Sequence, residues 1–472
     1  MIRNLRLALL LLLGAACPLL AQTATASVFP SPADQALARD MLQELISINT
    51  THPQGTMKAS LAIIARLEAA GFKGGDLQLL APSDHPAWSN VVVRLKGNGK
   101  ARPVLYEGHI DVVEAKPEDW SLPPFQLTEK DGWFYGRGTL DMKGDDVAIL
   151  MGLIRLKREG FVADRDIIIM LTADEEGGDA NGADFLLKQH RDLVNAEFAV
   201  NVDAGGGGLR AGQRIDFRVQ TSEKTYVTYQ LEVTNPGGHS SRPGKENAIY
   251  RLAEGLVKLS HLQFPLRVNA TTRGYFAAMA QEETGQVRAD LLAVAAALPD
   301  PGAAARLSEN PRWNAQLHTT CIATMLQGGH AENALPQRAT ATLQCRMMPG
   351  DRSEDVQALL VQTLADPKIH VTVINPARLS PESPPTPTLM KIVDQVVQAT
   401  WPGVPIHPVM EAGASDSIYS RQAGIPTYGL SGMFTDLDDN RAHGRDERVS
   451  VQAFYEDVEF SYRLMKALSR AN

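Results

Sequence analysis

The sequence predicts an α/β fold with a largely parallel sheet, into which a smaller ferredoxin-like domain is inserted. Two observations lead to this prediction. Helical and strand-like segments alternate up to residue 216, a pattern typical of a parallel sheet covered by helices. The order then becomes β-α-β-β-α-β, which is that of a ferredoxin-like module. α/β character returns after a proline-rich linker at residues 376–387.

The segments before residue 217 fit the larger domain. Leu37, Met41, Leu45 and Ile48 share one helical face, which predicts a helix over residues 32–48. Strands are predicted at residues 91–95, 104–106, 167–172 and 198–202. Helices are predicted at residues 146–158 and 183–190. Polar residues cluster just after the strands. Since sites in open α/β sheets gather at the carboxyl ends of strands, we expect the functional site at that edge.

The inserted module is expected over residues 217–378, between catalytic parts at 27–216 and 379–472. Its predicted elements are strands at 226–234, 319–325, 339–347 and 370–373 and helices at 247–259 and 354–364. An alanine-rich stretch near 269–314 predicts extra helices within it. A helix at 388–401 opens the second catalytic part.

Residues 1–26 have the pattern of a signal peptide. Arg3 and Arg6 precede an apolar run over residues 7–13, and an A-x-A cleavage site follows at 24–26. The pattern predicts an exported protein, either periplasmic or secreted. Cys17 raises a lipoprotein interpretation, but Gly14 stands where such a motif requires a large aliphatic residue, so anchoring is not expected.

Charge and cysteine content exclude several classes of protein. The net charge of −8 comes without any Lys/Arg block, so no nucleic-acid partner is expected. No stretch after the leader is long enough to span a membrane. Cys321 and Cys345 lie in strand-like runs, which leaves open both a disulfide and two buried thiols.

Five short segments carry His, Asp and Glu at the ends of predicted elements. The candidate residues in these segments are His109, Asp111, Asp141, Glu175, Glu176, Asp203 and His443. Each segment alone also fits a turn or a helix cap. Together they supply the ligand types that bind a pair of borderline divalent metals such as zinc. Adjacent carboxylates at a strand end are costly without a cation, which favours the metal-site interpretation.

These five segments resemble those of the two-metal aminoacylase/carboxypeptidase family, in the same order and over nearly the whole mature chain. That family includes acetylornithine deacetylase, succinyl-diaminopimelate desuccinylase, glutamate carboxypeptidase, carnosinase and carboxypeptidase S, and the carboxypeptidase S-like branch is the most similar. The resemblance implies a zinc-peptidase catalytic domain with an inserted lid and dimerisation domain. It also implies two divalent metal ions, zinc first and cobalt or manganese as alternatives.

The resemblance assigns a role to each candidate. One metal is bound by His109 and Asp203, the other is bound by Glu176 and His443, and Asp141 bridges both. Asp111 orients His109, and Glu175 is the general base for attack by a metal-bound hydroxide on an amide carbonyl. Glu114 stands where the family usually has a proline, a loop difference away from the ligands.

Further residues are implied to contact the substrate. His239 in the lid polarises the scissile carbonyl, often across a dimer interface, which leaves a homodimer through the lid open. Asn333 and Arg346 hold the carbonyl and the carboxylate of the substrate. Gly413 and Ser415 belong to a substrate-binding loop in which Ser415 replaces the usual threonine.

The function implied is that of an exported metallopeptidase acting on short peptides or N-acyl amino acids. Asp203, rather than glutamate, and the long helical insert favour the peptidase branch. Two alternatives stay open: an N-acyl-amino-acid deacylase on the same scaffold, and an inactive binding protein that keeps the fold. The intact Glu175, Asp111 and five ligands argue against the inactive protein.

Overall fold

The computed structural model describes residues 27–178 and 180–471, so the proposed signal peptide and Cys17 lie outside the described residues. The strands of this part are β1 (Leu77–Leu80), β2 (Asn90–Leu95), β3 (Val104–His109), β4 (Thr128–Lys130), β5 (Trp133–Tyr135), β6 (Ile167–Thr172), β7 (Phe198–Asn201), β8 (Gly206–Arg210), β9 (Gln213–Glu223), β10 (Thr225–Thr234), β11 (Gly238–His239), β12 (Thr320–Gly328), β13 (Ala334–Leu335), β14 (Arg338–Met347), β15 (His370–Asn375), β16 (Ile406–Glu411), β17 (Thr427–Gly429), β18 (Phe434–Asp436) and β19 (Arg448–Ser450).

The helices are distributed over the same ranges. They are α1 (Pro32–Ser47), α2 (Met57–Ala69), α3 (Lys143–Arg158), α4 (Gly182–Gln189), α5 (Arg191–Val194), α6 (Ala248–Ser260), α7 (Ala270–Glu282), α8 (Gly285–Ala295), α9 (Pro301–Leu307), α10 (Pro311–Leu317), α11 (Ser353–Leu364), α12 (Pro387–Thr400), α13 (Ser417–Gln422) and α14 (Val451–Leu468). None of the described helices has the length and apolar character that crossing a membrane requires.

The larger sheet is mixed, with a parallel centre. Its order is β1-β2-β6-β3-β7-β17-β9-β8-β18, and β16 pairs with β9 off this path. The neighbouring strands β6, β3, β7 and β17 all run parallel. Every residue of β6 is buried, which explains its continuous apolar sequence, because a central parallel strand is covered on both faces. The predicted α/β fold class is confirmed.

The glycine run after Asp203 forms strand β8 rather than the flexible turn that its composition suggests. A Cβ atom at Gly207 would lie 2.2 Å from the ring of Phe434, so only glycine allows β8 to pack against that ring. β8 then pairs with β9, and β9 continues to Glu223 in the larger sheet. The sequence places the change of domain at residue 217, whereas β9 passes that position without a break.

A second sheet follows, with the antiparallel order β12-β14-β10-β15. Its strands and the helices α6 and α11 occur along the chain in the order β-α-β-β-α-β, as predicted from the sequence. Val227, Leu252, Leu343 and Leu360 belong to its own apolar core, which is separate from that of the larger sheet. We call this unit the lid domain.

Helices α7 to α10 fill the segment in which extra helices were predicted. They share an apolar core that includes Phe276, Leu291 and Trp313. Val409 of β16 belongs to the same core, so the helical insert packs against the larger sheet. The insert therefore fixes the lid domain to the larger domain on one side.

Cys321 and Cys345 form a disulfide, which decides between the two alternatives left open by the sequence. They stand directly opposite each other on β12 and β14, with their Cα atoms 4.0 Å apart. The covalent link therefore fixes the register of the edge strand β12 against β14.

Candidate active site

The candidate residues of the larger domain converge at the carboxyl edge of its parallel strands. His109 is the last residue of β3, Glu175 and Glu176 follow β6, and Asp203 follows β7. Because β6, β3 and β7 are parallel neighbours, their carboxyl ends meet at one edge. The sheet topology alone therefore brings these residues together, as the sequence predicts.

His109 is buried, and its protonation pattern follows from its contacts. Nδ1 lies 3.0 Å from the backbone oxygen of Asp111, which can only accept, so Nδ1 carries a hydrogen. Nε2 lies 3.2 Å from Asp141 Oδ1 and 3.8 Å from Asp203 Oδ1. An imidazole lone pair facing two carboxylates requires a cation between them, either a proton or a metal ion.

Asp141 lies between the two histidines. Its Oδ2 is 3.0 Å from Nε2 of His443, which is also 2.8 Å from Glu176 Oε1. Oδ1, on the His109 side, is buried and has no hydrogen bond of good geometry. A carboxylate with one oxygen directed at each histidine has the arrangement of a bridging ligand.

The potential ligands form three overlapping groups, and within each group the ligand atoms lie within 4.8 Å of one another. They are His109, Asp141 and Asp203; Asp141, Glu176 and His443; and His109, Glu175 and Glu176. His109, Asp141 and Glu176 each belong to two of them, and Asp141 directs one oxygen at each histidine, so the described residues fit a pair of divalent cations that share one carboxylate.

Burial dominates the electrostatics of this cluster. It raises the pKa of Asp203 to about 7, against the opposing effect of His109. It also raises the pKa of Glu175 well above its ordinary value, and the charge of Asp203 adds to that shift. Hydrogen bonds with Asp141 and with Glu176 raise the pKa of His443 to about 10. Without a metal the site therefore retains protons, which is the behaviour of a crowded anionic site.

Asp111 occupies its predicted place but makes other contacts than expected. Its backbone oxygen, rather than its carboxylate, holds His109, because the carboxylate lies 3.8 Å from the ring nitrogen. The carboxylate instead accepts hydrogen bonds from the backbone N–H groups of Glu175 (3.2 Å) and Glu176 (3.0 Å). Asp111 thus fixes the turn that carries both glutamates, while burial raises its pKa to about 6.

A buried ion pair that sequence analysis did not identify supports the Asp141 loop. Glu447 Oε1 accepts hydrogen bonds from the backbone N–H groups of Gly138, Leu140 and Asp141. Its other oxygen binds Arg137 at 2.5 Å, and Arg137 also donates to the backbone oxygen of His443. The pair joins the two loops that carry Asp141 and His443. Arg137 stands four residues before Asp141 and Glu447 four residues after His443, but nothing in the sequence indicates that they pair.

Two further residues support the Glu175 turn and were also missed. Asp174 adopts a left-handed backbone conformation (φ 61°), and its Oδ1 lies 3.0 Å from His52 Nδ1. Asp416 accepts hydrogen bonds from Thr172 and from Asn181, both at 2.6 Å. These contacts anchor the beginning and the end of the loop after β6. Asp174 was visible next to the glutamates, whereas Asp416 required the tertiary contact.

A cavity of about 910 Å³ opens over the cluster. Arg346 on the lid strand β14 and Gly413 and Ser415 of the larger domain line it, and their contact with a substrate stays a prediction. The hydroxyl and the backbone N–H of Ser415 both donate to Glu223 Oε2, at 2.9 and 3.0 Å. The hydroxyl of Ser415 therefore holds the loop in place at the cavity wall.

His239 and Asn333 are not among the residues that line this cavity. His239 lies on β11, which pairs with β13, and the backbone oxygen of Asn333 accepts a hydrogen bond from Ser240. Both side chains are exposed. The structure thus places the two residues beside each other but does not bring them to the cluster of the same chain.

The parallel sheet edge, the paired ligand groups and the inserted lid domain together define a metal-dependent hydrolase. Residues 105–467 match the model of peptidase family M20/M25/M40, and the chain belongs to this family. The resemblance seen in the sequence is thereby confirmed.

Relatives and solved structures agree with this assignment. The N-fatty-acyl-amino acid synthase/hydrolase PM20D1 of Xenopus tropicalis is 30% identical over 371 residues, which is 77% of this chain and 72% of that protein. The probable carboxypeptidase S-like 2 of Dictyostelium discoideum is 30% identical over 373 residues, 77% of this chain and 71% of that protein. The M20 metallo-carboxypeptidase Sso-CP2 of Sulfolobus solfataricus has the same fold, with a TM-score of 0.68 and 18% identity over 92% of this chain and 99% of that one.

We predict that Arg137→Gln lowers the free energy of unfolding by about 3 kcal/mol or more, because it leaves the buried Glu447 without its cation. Urea denaturation measures the change. Arg338→Gln is the control, since Arg338 pairs with Glu232 at the surface and its loss should cost less than about 1 kcal/mol. Equal effects of the two variants would contradict the role given to Arg137.

Proposed function

We propose that this chain hydrolyses amide bonds of short peptides or N-acyl amino acids with the aid of two divalent metal ions. The observation that carries the proposal is the position of Asp141, which directs one carboxylate oxygen at His109 and the other at His443 on the wall of a large cavity. His109 and Asp203 complete one group, and Glu176 and His443 complete the other. This is the set of five ligands expected from the sequence.

Zinc is the metal that this donor set favours, because borderline divalent ions bind imidazole and carboxylate together, with cobalt or manganese as substitutes. When bound, such ions would lower the pKa of a coordinated water and would polarise the carbonyl oxygen of the substrate. Two such ions carry four positive charges, which offset the carboxylates of Asp141, Glu176 and Asp203 and one hydroxide.

Glu175 is the proposed general base. Its backbone N–H is held by Asp111 and its carboxylate lies beside the ligand cluster, so it can take a proton from the attacking water and later deliver it to the leaving amine. Because Glu175 also belongs to one candidate ligand group with His109, its role as a base has to be separated from metal binding by experiment.

The relatives leave two substrate classes open. One relative is named for fatty-acyl amino acids and another for carboxypeptidase activity, so peptidase and N-acyl-amino-acid deacylase are both retained. Assays of dipeptides against N-acetyl amino acids distinguish the two. The intact ligand set argues against an inactive binding protein.

We also propose that two copies associate through the lid domain. Strand β12 is an unpaired edge, and its residues from Ile322 to Gly328 are all exposed, including Met325 and Leu326. Unpaired edge strands with apolar side chains favour association with a second chain. His239 and Asn333, exposed on the same domain, are then available to the cavity of the second copy, while Arg346 serves the cavity of its own chain.

Export is proposed on two observations. One is the leader pattern at residues 1–26. The other is the disulfide between Cys321 and Cys345, since disulfides persist in oxidising compartments such as the periplasm.

Removal of metal should abolish hydrolysis, and zinc, cobalt or manganese should restore it. The melting temperature should fall in parallel, since the carboxylates of the cluster repel one another without cations. Activity, metal content and thermal unfolding are measured before and after chelation, with zinc-saturated chelator as the control. Full activity in protein verified as metal-free would contradict the proposal.

Glu175→Gln should keep both metals and lower turnover by about 10²- to 10⁴-fold, because glutamine preserves the shape but cannot take a proton. Metal content and kcat are measured on the same preparation. Glu118→Gln, an exposed glutamate remote from the cluster, is the matched control. Loss of metal in proportion to activity would show that Glu175 is a ligand.

His239→Ala should lower kcat by about 10²-fold or more without loss of metal, as expected for a donor to the developing oxyanion. If His239 acts in a second copy, a mixture with Glu175→Gln should regain activity, because a mixed dimer contains one complete site. His370→Ala, an exposed histidine on β15, is the control. A normal rate in His239→Ala would remove this residue from the mechanism.

A further inference from the structure

Arg346 presents a positive charge to the cavity without a carboxylate partner. It lies on β14, and its guanidinium stands 4.8 Å from the ring centre of Tyr226. Its Nη1 atom is buried and has no hydrogen-bond partner, and no carboxylate among the described residues lies within 4 Å of it. Such a group is suited to a ligand carboxylate.

Arg378 is a second cation on the cavity wall, and it is more exposed than Arg346. It belongs to the linker after β15, lies 5.3 Å from the ring centre of Tyr419, and donates a hydrogen bond to the Tyr419 hydroxyl. It too has no carboxylate within 4 Å in the described part of the chain. Arg218, a third arginine of the wall, differs because Asp216 lies 3.8 Å away.

Arg346 lies within electrostatic reach of the proposed general base, Glu175. Burial lowers the pKa of Arg346, and the charges of Tyr226, Glu175 and Glu223 act in the opposite direction. Burial raises the pKa of Tyr419, and Glu175 is among the charges that add to the shift. Arg346, Arg378 and Glu175 all line the same cavity, so a ligand in this cavity can contact both guanidinium groups and the proposed base.

The two cations are attached to different domains. Arg346 is part of the lid sheet. The linker that carries Arg378 is fixed to the larger domain at its next residues, since Gln422 donates to the backbone oxygen of Leu379 and Ser380 donates to Glu223. A ligand that binds both arginines would contact both domains at once.

We propose that Arg378 forms a second carboxylate subsite, so that the preferred substrates are amides that carry two carboxylates. The proposal rests on the proposed function and specifies its substrate class. Arg346 would take one carboxylate and Arg378 the other. The second carboxylate comes either from the side chain of the released amino acid or from a dicarboxylic acyl group, and the two sources are distinguished by experiment.

The test compares acidic amides with their neutral isosteres. The pairs are N-acetylglutamate with N-acetylglutamine, and N-succinyl-leucine with N-succinamoyl-leucine. Dissociation constants are measured by calorimetry on the zinc-loaded Glu175→Gln protein, and kcat/KM on the wild type. The acidic member of at least one pair should bind at least tenfold more tightly, because a charge-assisted hydrogen bond is lost with the amide. Which pair shows the preference identifies the source of the carboxylate.

Arg378→Gln should reduce that preference to nearly equal binding of the two members. Arg470→Gln is the matched control, since Arg470 is also exposed, stacks 4.5 Å from the ring centre of Phe161, and does not line the cavity. The control should keep the full preference. A loss of affinity that is equal for the acidic and the neutral member would show a purely structural role.

Equal binding of acidic and neutral members by the parent protein, or binding of neither, would overturn the subsite. Failure of the proposed function has a different signature, namely no hydrolysis of any amide by the zinc-loaded wild type. In that case the dissociation constants are measured on the wild type itself, and the preference for the acidic member still decides the role of Arg378.

Discussion

The mutual repulsion of buried carboxylates at one sheet edge is the constraint on which the rest of the site depends. Asp141, Asp203, Glu175 and Glu176 lie around two imidazoles, and burial raises the pKa values of Asp203 and Glu175. Charges of one sign at such distances are stable only with cations or with hydrogen-bond donors directed at them. Backbone N–H groups donate hydrogen bonds to the carboxylates of Asp111 and Glu447. Among the described residues, the carboxylates around the two imidazoles have no such donors in their place and fit cations instead.

Much of the fold was predictable because its signals are periodic and local. The apolar run of β6 and the alternation of β10 and β14 each predict a strand, and the order of the elements predicts the lid domain. The convergence of His109, Glu175, Glu176 and Asp203 was predictable as well, because parallel strands carry them to one edge, whereas Asp141 and His443 lie in loops and were indicated by the family resemblance. The glycine strand β8 was not predictable, because its glycines are required for packing against the ring of Phe434, which is more than two hundred residues away in sequence.

The parts of the site that escaped prediction are those in which two distant segments share a proton or a charge. Arg137 and Glu447 are 310 residues apart, and neither side chain reveals from its neighbours that the other exists. Asp111 illustrates a subtler limit. Its position next to His109 was evident, but which of its oxygens faces the ring depends on side-chain direction, which spacing alone does not determine.

The buried Glu223 shows how the cavity and the connection between the domains are combined. It ends β9, just before the chain enters the lid sheet, and it accepts a hydrogen bond from Ser380 on the returning linker. It also holds Ser415 of the cavity wall and pairs with the buried Arg421 at 3.0 Å. Breaking this pair would leave an uncompensated buried charge, which costs far more than bending a linker. These contacts therefore fix both the end of β9 and the returning linker to the larger domain. Arg378 directly precedes the fixed part of this linker, so its position on the cavity wall depends on the same buried ion pair.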